Sequence, residues 1–509
     1  MPRKPVRLAL PACTRRFSAL LVFLGALFAL ALPVHATITW SSGTNTVLPD
    51  TTQLDTNIII TGGTNTVLGL AGPPAGTTSG GTLRLQTGGT GLQITGATVT
   101  LNSDNTSPGT LLLQGNVVTS ASSTTALITS GGSATVSGTV NLGSATRVFT
   151  LAAGSVPATG PDLSIPAKVT NGGLEKAGPG IIALSGSNTY TGGTLLDAGA
   201  FYINSSTAIG TGFFTINGPN TSIDNRSGGP LALGNNNQFN LTNGDLNFVG
   251  TNDLNLGSGI VVMLNADRAI NVADAAATLT VGGRIQDAGQ NLGLTKSGPG
   301  TLVLGGNNLY TGATNISGGT AVLNGSISGN VSVAANATFA NNGTVGGNLS
   351  VSGTVTGAGT VHGSLVVNAG GTVDVSGGTF TVNGGLTNNG LFILSNGAQI
   401  AGVTGFINNG TLDLITAGAF NPPNFTNNGT IINSSAVKTK SVSRAGNNFS
   451  VTIDSYTGHT YQLQKSASPV GNTFSNTGSS QQGTTGTVLT LTDSSATASP
   501  SFYRIIVSP

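Results

Sequence analysis

The stretch Leu174–Phe201, LEKAGPGIIALSGSNTYTGGTLLDAGAF, recurs at Leu294–Ala321 as LTKSGPGTLVLGGNNLYTGATNISGGTA. Lys176, Gly180 and Tyr190 fall on Lys296, Gly300 and Tyr310, each 120 residues later without a gap, and 13 of 28 positions are identical. The shared positions are mostly turn formers and regularly spaced apolar residues. A unit of this kind cannot bury its apolar face alone, so it must stack on neighbours of its own kind. Looser echoes fill the surrounding chain. GTNTVL occurs at Gly43–Leu48 and Gly63–Leu68, and Asn-Asn-Gly begins at Asn341, Asn388, Asn408 and Asn427.

Composition narrows the kind of stack. Gly is 78 of 509 residues and charged residues are 7%, yet 38% are hydrophobic, which is too many for a disordered chain. Short period-two runs such as Gly81–Gly88 and Gly91–Asp104 read as strands, and the glycines and asparagines between them as tight turns. No strict Gly-X-Y period is present, which excludes collagen. The pattern predicts an all-β chain, a right-handed parallel β-helix over 37–435, with coils of about 20 residues rising about 4.8 Å each. Stacked Asn-Asn-Gly turns are expected to form amide ladders, and Trp40 to cap the first coil. After Ser435 the strands NFSVTI, TYQLQKS, TVLTLTD and SFYRIIVS predict a small β-sandwich-like domain over 436–509.

Residues 1–36 read as a signal peptide. Arg3, Lys4, Arg7, Arg15 and Arg16 precede an apolar run from Phe17 to Leu32, and Val34-His35-Ala36 is a small-residue cleavage site. Removing it takes five of 18 cations, none of the 16 acids, and the single cysteine, Cys13. The mature chain then carries a net charge of −3, with no basic patch for nucleic acid, no disulfide and no integral membrane segment. It is expected outside the cell, secreted or held at the surface, with an export or anchoring partner the sequence does not name.

The positions Leu294, Lys296, Gly298, Gly300, Leu302, Leu304, Gly306, Asn308, Tyr310, Gly312 and Thr314 fit the pattern L-x-K-x-G-x-G-x-L-x-L-x-G-x-N-x-Y-x-G-x-T throughout. The earlier copy departs by Ile182 in place of Leu. The pattern resembles the autotransporter-associated β-strand repeat of Gram-negative passenger domains, and Gly353–Gly384 is similar to coils that follow such repeats. The resemblance implies a β-helical, exported passenger and no particular reaction. It would also imply a C-terminal translocator barrel, but some 70 residues are too few for one, so none is expected in this chain. The ending YQLQKS…FYRIIV is similar to C-terminal β-sandwich modules of large secreted bacterial proteins.

Candidate chemistry is thin. The densest acids are Asp245, Asp253, Asp267, Asp274 and Asp287. Asp245/Asn247 and Asp253/Asn255 each share a strand face and, paired over neighbouring coils, could hold calcium; solvated outer-face positions are the expectation. Gly370-Gly371-Thr372-Val373-Asp374 lacks the third glycine of a calcium-binding nonapeptide. There is no G-x-S-x-G elbow, and His362 and His459, 97 residues apart, are expected to be exposed. Lys176 and Lys296 could contact an anionic glycan but are expected to be solubilising charges guarding an edge; Tyr190 and Tyr310 could stack on sugars but are expected to close their coils; and Lys438, Lys440 and Arg444 are expected to line a solvated strand face. No catalytic, cofactor-binding or metal site is assigned and no cofactor is expected. The predicted function is therefore a non-enzymatic, structural or adhesive rod meeting glycans or other surface proteins through weak multivalent contacts. The alternative is a polysaccharide lyase or hydrolase, or a carbohydrate-binding module, with Asp245, Asp267 and Arg268 meeting in one cleft.

Overall fold

A computed structural model describes residues 37–47, 57–62, 64–68, 82–85, 89–103, 108–132, 135–154, 160–470, 473–496 and 501–509. The signal-peptide reading of 1–36 lies outside them. The fold is a right-handed parallel β-helix followed by a small antiparallel β-sandwich, as the repeats and the tail predict. No helix among the described residues is long and apolar enough to cross a membrane.

Four parallel sheets, here called I to IV, build the helix. Sheet I runs from Thr37–Trp40 to Ile285–Gln286, and sheet II from Thr44–Val47 to Phe425–Asn427. Sheet III begins at Leu231–Ala232 and ends at Thr430–Ile432, and sheet IV spans Ser326–Ile327 to Gln399–Ala401. The cross-section therefore changes along the rod. Early coils carry sheets I and II, and later ones carry II, III and IV. Trp40 is half-buried against the end of the column, where a cap is expected.

Most strands alternate inward, mainly apolar residues with outward, mainly polar ones, so successive coils stack like on like. In sheet III, Leu279, Leu302, Ala321, Phe339, Val355 and Val373 point inward, rung upon rung. A fully buried Leu, Val or Phe contributes about 1.5–3 kcal/mol, and one continuous cluster of such residues runs from Ile58 to Leu412. On the outer face of the same strands, Thr278, Thr301, Thr320, Thr338, Thr354 and Thr372 pair in unbroken register. The column passes through Leu391 and resumes with Thr411 and Thr430.

The Asn-Asn-Gly turns form two ladders. Asn388 Nδ2 donates to Asn408 Oδ1 and Asn408 Nδ2 to Asn427 Oδ1, both at 2.7 Å, with Asn388 and Asn408 fully buried. Beside them Asn409 and Asn428 donate to Asn389 and Asn409 at 2.8 and 2.9 Å on the exposed side.

The sandwich packs Thr439–Ala445, Asn448–Ser455 and Thr487–Asp493 against a second sheet centred on Thr460–Ser466. That central strand pairs with Phe502–Ser508 along one edge, and with Ser475–Asn476 and Gln481–Gln482 along the other. Val451, Ile453, Tyr461, Leu463 and Leu491 form its own core.

Candidate functional site

The paired repeats place their most distinctive residues inside the coil. Lys176 shares strand parity with Leu174, and Lys296 with Leu294, so both point inward. Neither guards an edge: their exposures are 0% and 1%. Lys176 Nζ donates to the carbonyls of Ala177, Gly178 and Ala198 at 2.9, 2.7 and 3.0 Å. Lys296 Nζ donates to those of Ser297, Gly298 and Gly318 at 2.8, 2.9 and 3.1 Å. Burial pulls both ammonium groups down to about 8; at Lys176 the Asp162 carboxylate opposes the shift. Gly178 and Gly298, each at φ 74°, turn the chain so that its carbonyl reaches the ammonium.

The tyrosines and asparagines finish the same device. Tyr190 and Tyr310 are fully buried, and their hydroxyls meet Thr194 and Thr314 Oγ1 at 2.6 and 2.7 Å. Asn188 Oδ1 accepts from Val169 N at 2.8 Å, and Asn308 Oδ1 from Ile285 N at 2.9 Å, tying each coil to the one before. Lysine, asparagine and tyrosine thus hydrogen-bond to their own and adjacent coils. A glycan has no access to them.

The acidic region likewise serves the backbone. Asp245 and Asn247 lie along sheet II, whereas Asp253 and Asn255 lie along sheet III. The two pairs occupy different faces of the coil and cannot share an ion across neighbouring rungs. Asp245 accepts from Ala269 N at 2.9 Å, Asp253 from Thr278 N at 2.7 Å and Asp267 from Gly293 N at 2.7 Å. Asp287 is buried and accepts from Gly289, Leu292 and Thr311 N–H groups, which draw its pKa down against the cost of burial. Asp274 is exposed and accepts from Ala276 N within its own turn. Arg268 is buried and donates to the carbonyls of Thr242 and Leu264; no ion pair joins it to Asp245 or Asp267 among the described residues. No group of three or more His, Cys, Asp or Glu side chains among them is placed to hold a metal.

The two histidines part company. His362 is exposed. His459 is 2% exposed and its Nε2 lies 2.7 Å from Oδ2 of Asp413, itself 4% exposed, so it joins the sandwich to the outer face of sheet III. The expectation of an exposed His459 fails because it shares strand parity with Tyr461 and Leu463, which point into the interior. Burial and the neighbouring Asp413 raise the pKa of Asp374, which lies two rungs away on that face, while His459 opposes the rise. Lys438, Lys440 and Arg444 are exposed, as expected, and Lys440 pairs with Asp454 at 3.0 Å. Two buried networks carried no sequence signal. Asp224 holds Arg226 at 2.8 Å, and Asp493 holds Lys465 at 3.2 Å and the Tyr503 hydroxyl at 2.9 Å.

Comparison with known proteins agrees with this geometry. Residues 174–201 and 294–320 match the passenger-associated-transport-repeat family, so the chain carries two such repeats. It is also 30% identical over 324 residues to the protein named "Adhesin BmaC autotransporter" from Brucella suis biovar 1 (strain 1330). That match covers 56% of this chain and 9% of the Brucella protein, so the chain spans a small part of that relative's length.

Proposed function

We propose that this chain acts outside the cell as a non-enzymatic β-helical rod with an adhesive role, displayed at the surface or secreted. The observation that carries the reading is its likeness to an adhesin autotransporter over 324 residues. The side chains that looked most like chemistry, the repeat lysines and tyrosines and the acids of 224–287, are committed to coil corners. Contact with a partner therefore falls to the outer faces, where many weak interactions along a stiff scaffold sum to useful avidity. The tail from about 436 onward is a second unit seated on the rod, and the partners are glycans or proteins of another surface.

The test is adhesion by beads coated with the full chain, on epithelial cells and on glycan-coated plates. The reading predicts retention above that of beads carrying an unrelated β-solenoid. Equal retention contradicts it, and depolymerisation of a polysaccharide by the purified chain would replace it with the enzymatic alternative.

A further inference from the structure

Sheet III presents an outer face that neither fold nor coil closure explains. From Thr278 to Thr372 six successive rungs carry threonine at one position in hydrogen-bonded register. The coils between Thr320, Thr338, Thr354 and Thr372 are 18, 16 and 18 residues long, so this alignment survives changes in coil length. All six side chains are half-buried, and none of their hydroxyls bonds to another protein group among the described residues.

Strand propensity does not account for the column. Threonine suits a strand's outer face, but so do valine and isoleucine. Two residues along the same strands, in the same outward setting, the three middle rungs carry Val303, Val322 and Ala340, with Thr280 before them and Thr356 and Asp374 after them. Over those three middle rungs one column keeps its hydroxyls while the next has none. Together they form a strip with donors and acceptors repeating at the sheet spacing of about 4.8 Å, beside an apolar patch three rungs long.

Charge narrows the partner. Between Lys296 and Lys438 the sequence carries two charged residues, Asp374 and Asp413. Both lie where the strip approaches the sandwich, with Asp413 and Ile432 buried at the junction. The strip is therefore neutral from Thr301 to Thr354, with Asp253 against Thr278 N at one end and Asp374 on the Thr372 rung at the other, and it is continuous with a face already used for docking. A neutral surface offers nothing to a phosphate or uronate, and it removes the desolvation cost that a charged lining would impose on an uncharged ligand.

We propose that this strip binds a neutral, extended polysaccharide chain lying along the rod. Sugar hydroxyls would meet the threonine column, and the C–H faces of the rings would meet Val303, Val322 and Ala340. The inference rests on the adhesive reading and names the ligand class for one face of it. Each contact is weak, and affinity comes from the number of rungs engaged.

Affinity electrophoresis of the full chain through gels containing soluble mixed-linkage β-glucan tests the idea. Polygalacturonate serves as the anionic comparison. The quadruple variant Thr301→Val, Thr320→Val, Thr338→Val and Thr354→Val removes four hydroxyls while keeping shape and strand propensity, and circular dichroism checks that it folds. The proposal predicts retardation by β-glucan that persists at high salt and falls about tenfold or more in the variant, as expected when four of the repeated contacts are lost. Ser332→Ala with Ser350→Ala, on sheet II, should leave retardation unchanged. Three results overturn it: no retardation of the parent by β-glucan, equal retardation of parent and quadruple variant, or retardation by polygalacturonate alone. Loss of rod self-association in the quadruple variant, without any glucan effect, would assign the strip to contact between copies instead. Bead adhesion that survives such a failure leaves the adhesive role standing, so the two readings fail separately.

Discussion

Lys176 and Lys296 each hold an ammonium group among three turn carbonyls, at a folded pKa of about 8. A free lysine titrates near 10.4. Between these values the unfolded chain keeps a proton that the folded chain has released, so stability rises with pH through that window. The gain is on the order of 3 kcal/mol for each lysine. Above about pH 10 the buried phenols of Tyr190 and Tyr310 reverse the trend, because burial raises their pKa and the unfolded chain ionises first. Chemical denaturation across pH 7 to 11 should therefore show stability climbing from about pH 8 and falling again above about pH 10. Lys296→Met should flatten the climb. It should also cost about 1–3 kcal/mol at pH 7 by leaving three half-buried turn carbonyls without that donor. Hydrogen exchange across 294–321 reads the loss locally.

Among the stacked turns, the inner asparagine ladder is worth more than the outer one. Asn408 is fully buried and bonded to both neighbours, whereas Asn409 makes the same kind of contacts in solvent. Asn408→Ala takes from the buried Asn388 amide one of its two acceptors, leaving only the Thr411 carbonyl, and should cost about 1–3 kcal/mol. Asn409→Ala should stay within about 0.5 kcal/mol. Equal effects in urea melts would mean that the ladders stabilise through turn geometry alone.

Much at this scale was legible in advance. Asn-Gly turns, period-two runs and the 120-residue repeat led directly to stacked coils. The inward lysines and His459 are also readable, since each shares parity with a neighbouring apolar residue, although a charged or polar residue type points outward. The threonine column was hidden for another reason. Its rungs are separated by 16 to 23 residues, so no fixed offset in the sequence reveals them. Asp413 was hidden too, because it faces outward from its strand and is covered only by a segment 46 residues later.

At the scale of the whole molecule, the seam between rod and sandwich turns on His459 and Asp413. Replacing either leaves its buried partner unsatisfied, a larger loss than removing an exposed pair. Asp413→Ala should loosen the seam and speed tryptic cleavage at Lys438 and Lys440 several-fold, with the coils still protected. Unchanged cleavage would place the docking energy in the apolar contacts around Ile432.

The proposed rod divides its labour: repeat residues build the coil, and the outer faces would meet the partner. Adhesion of Lys296→Met, expressed per folded molecule, measures that division directly. With the folded fraction taken from hydrogen exchange, it should equal the parent's. Adhesion lost while exchange protection across 294–321 is unchanged would make the lysine a contact and contradict the account.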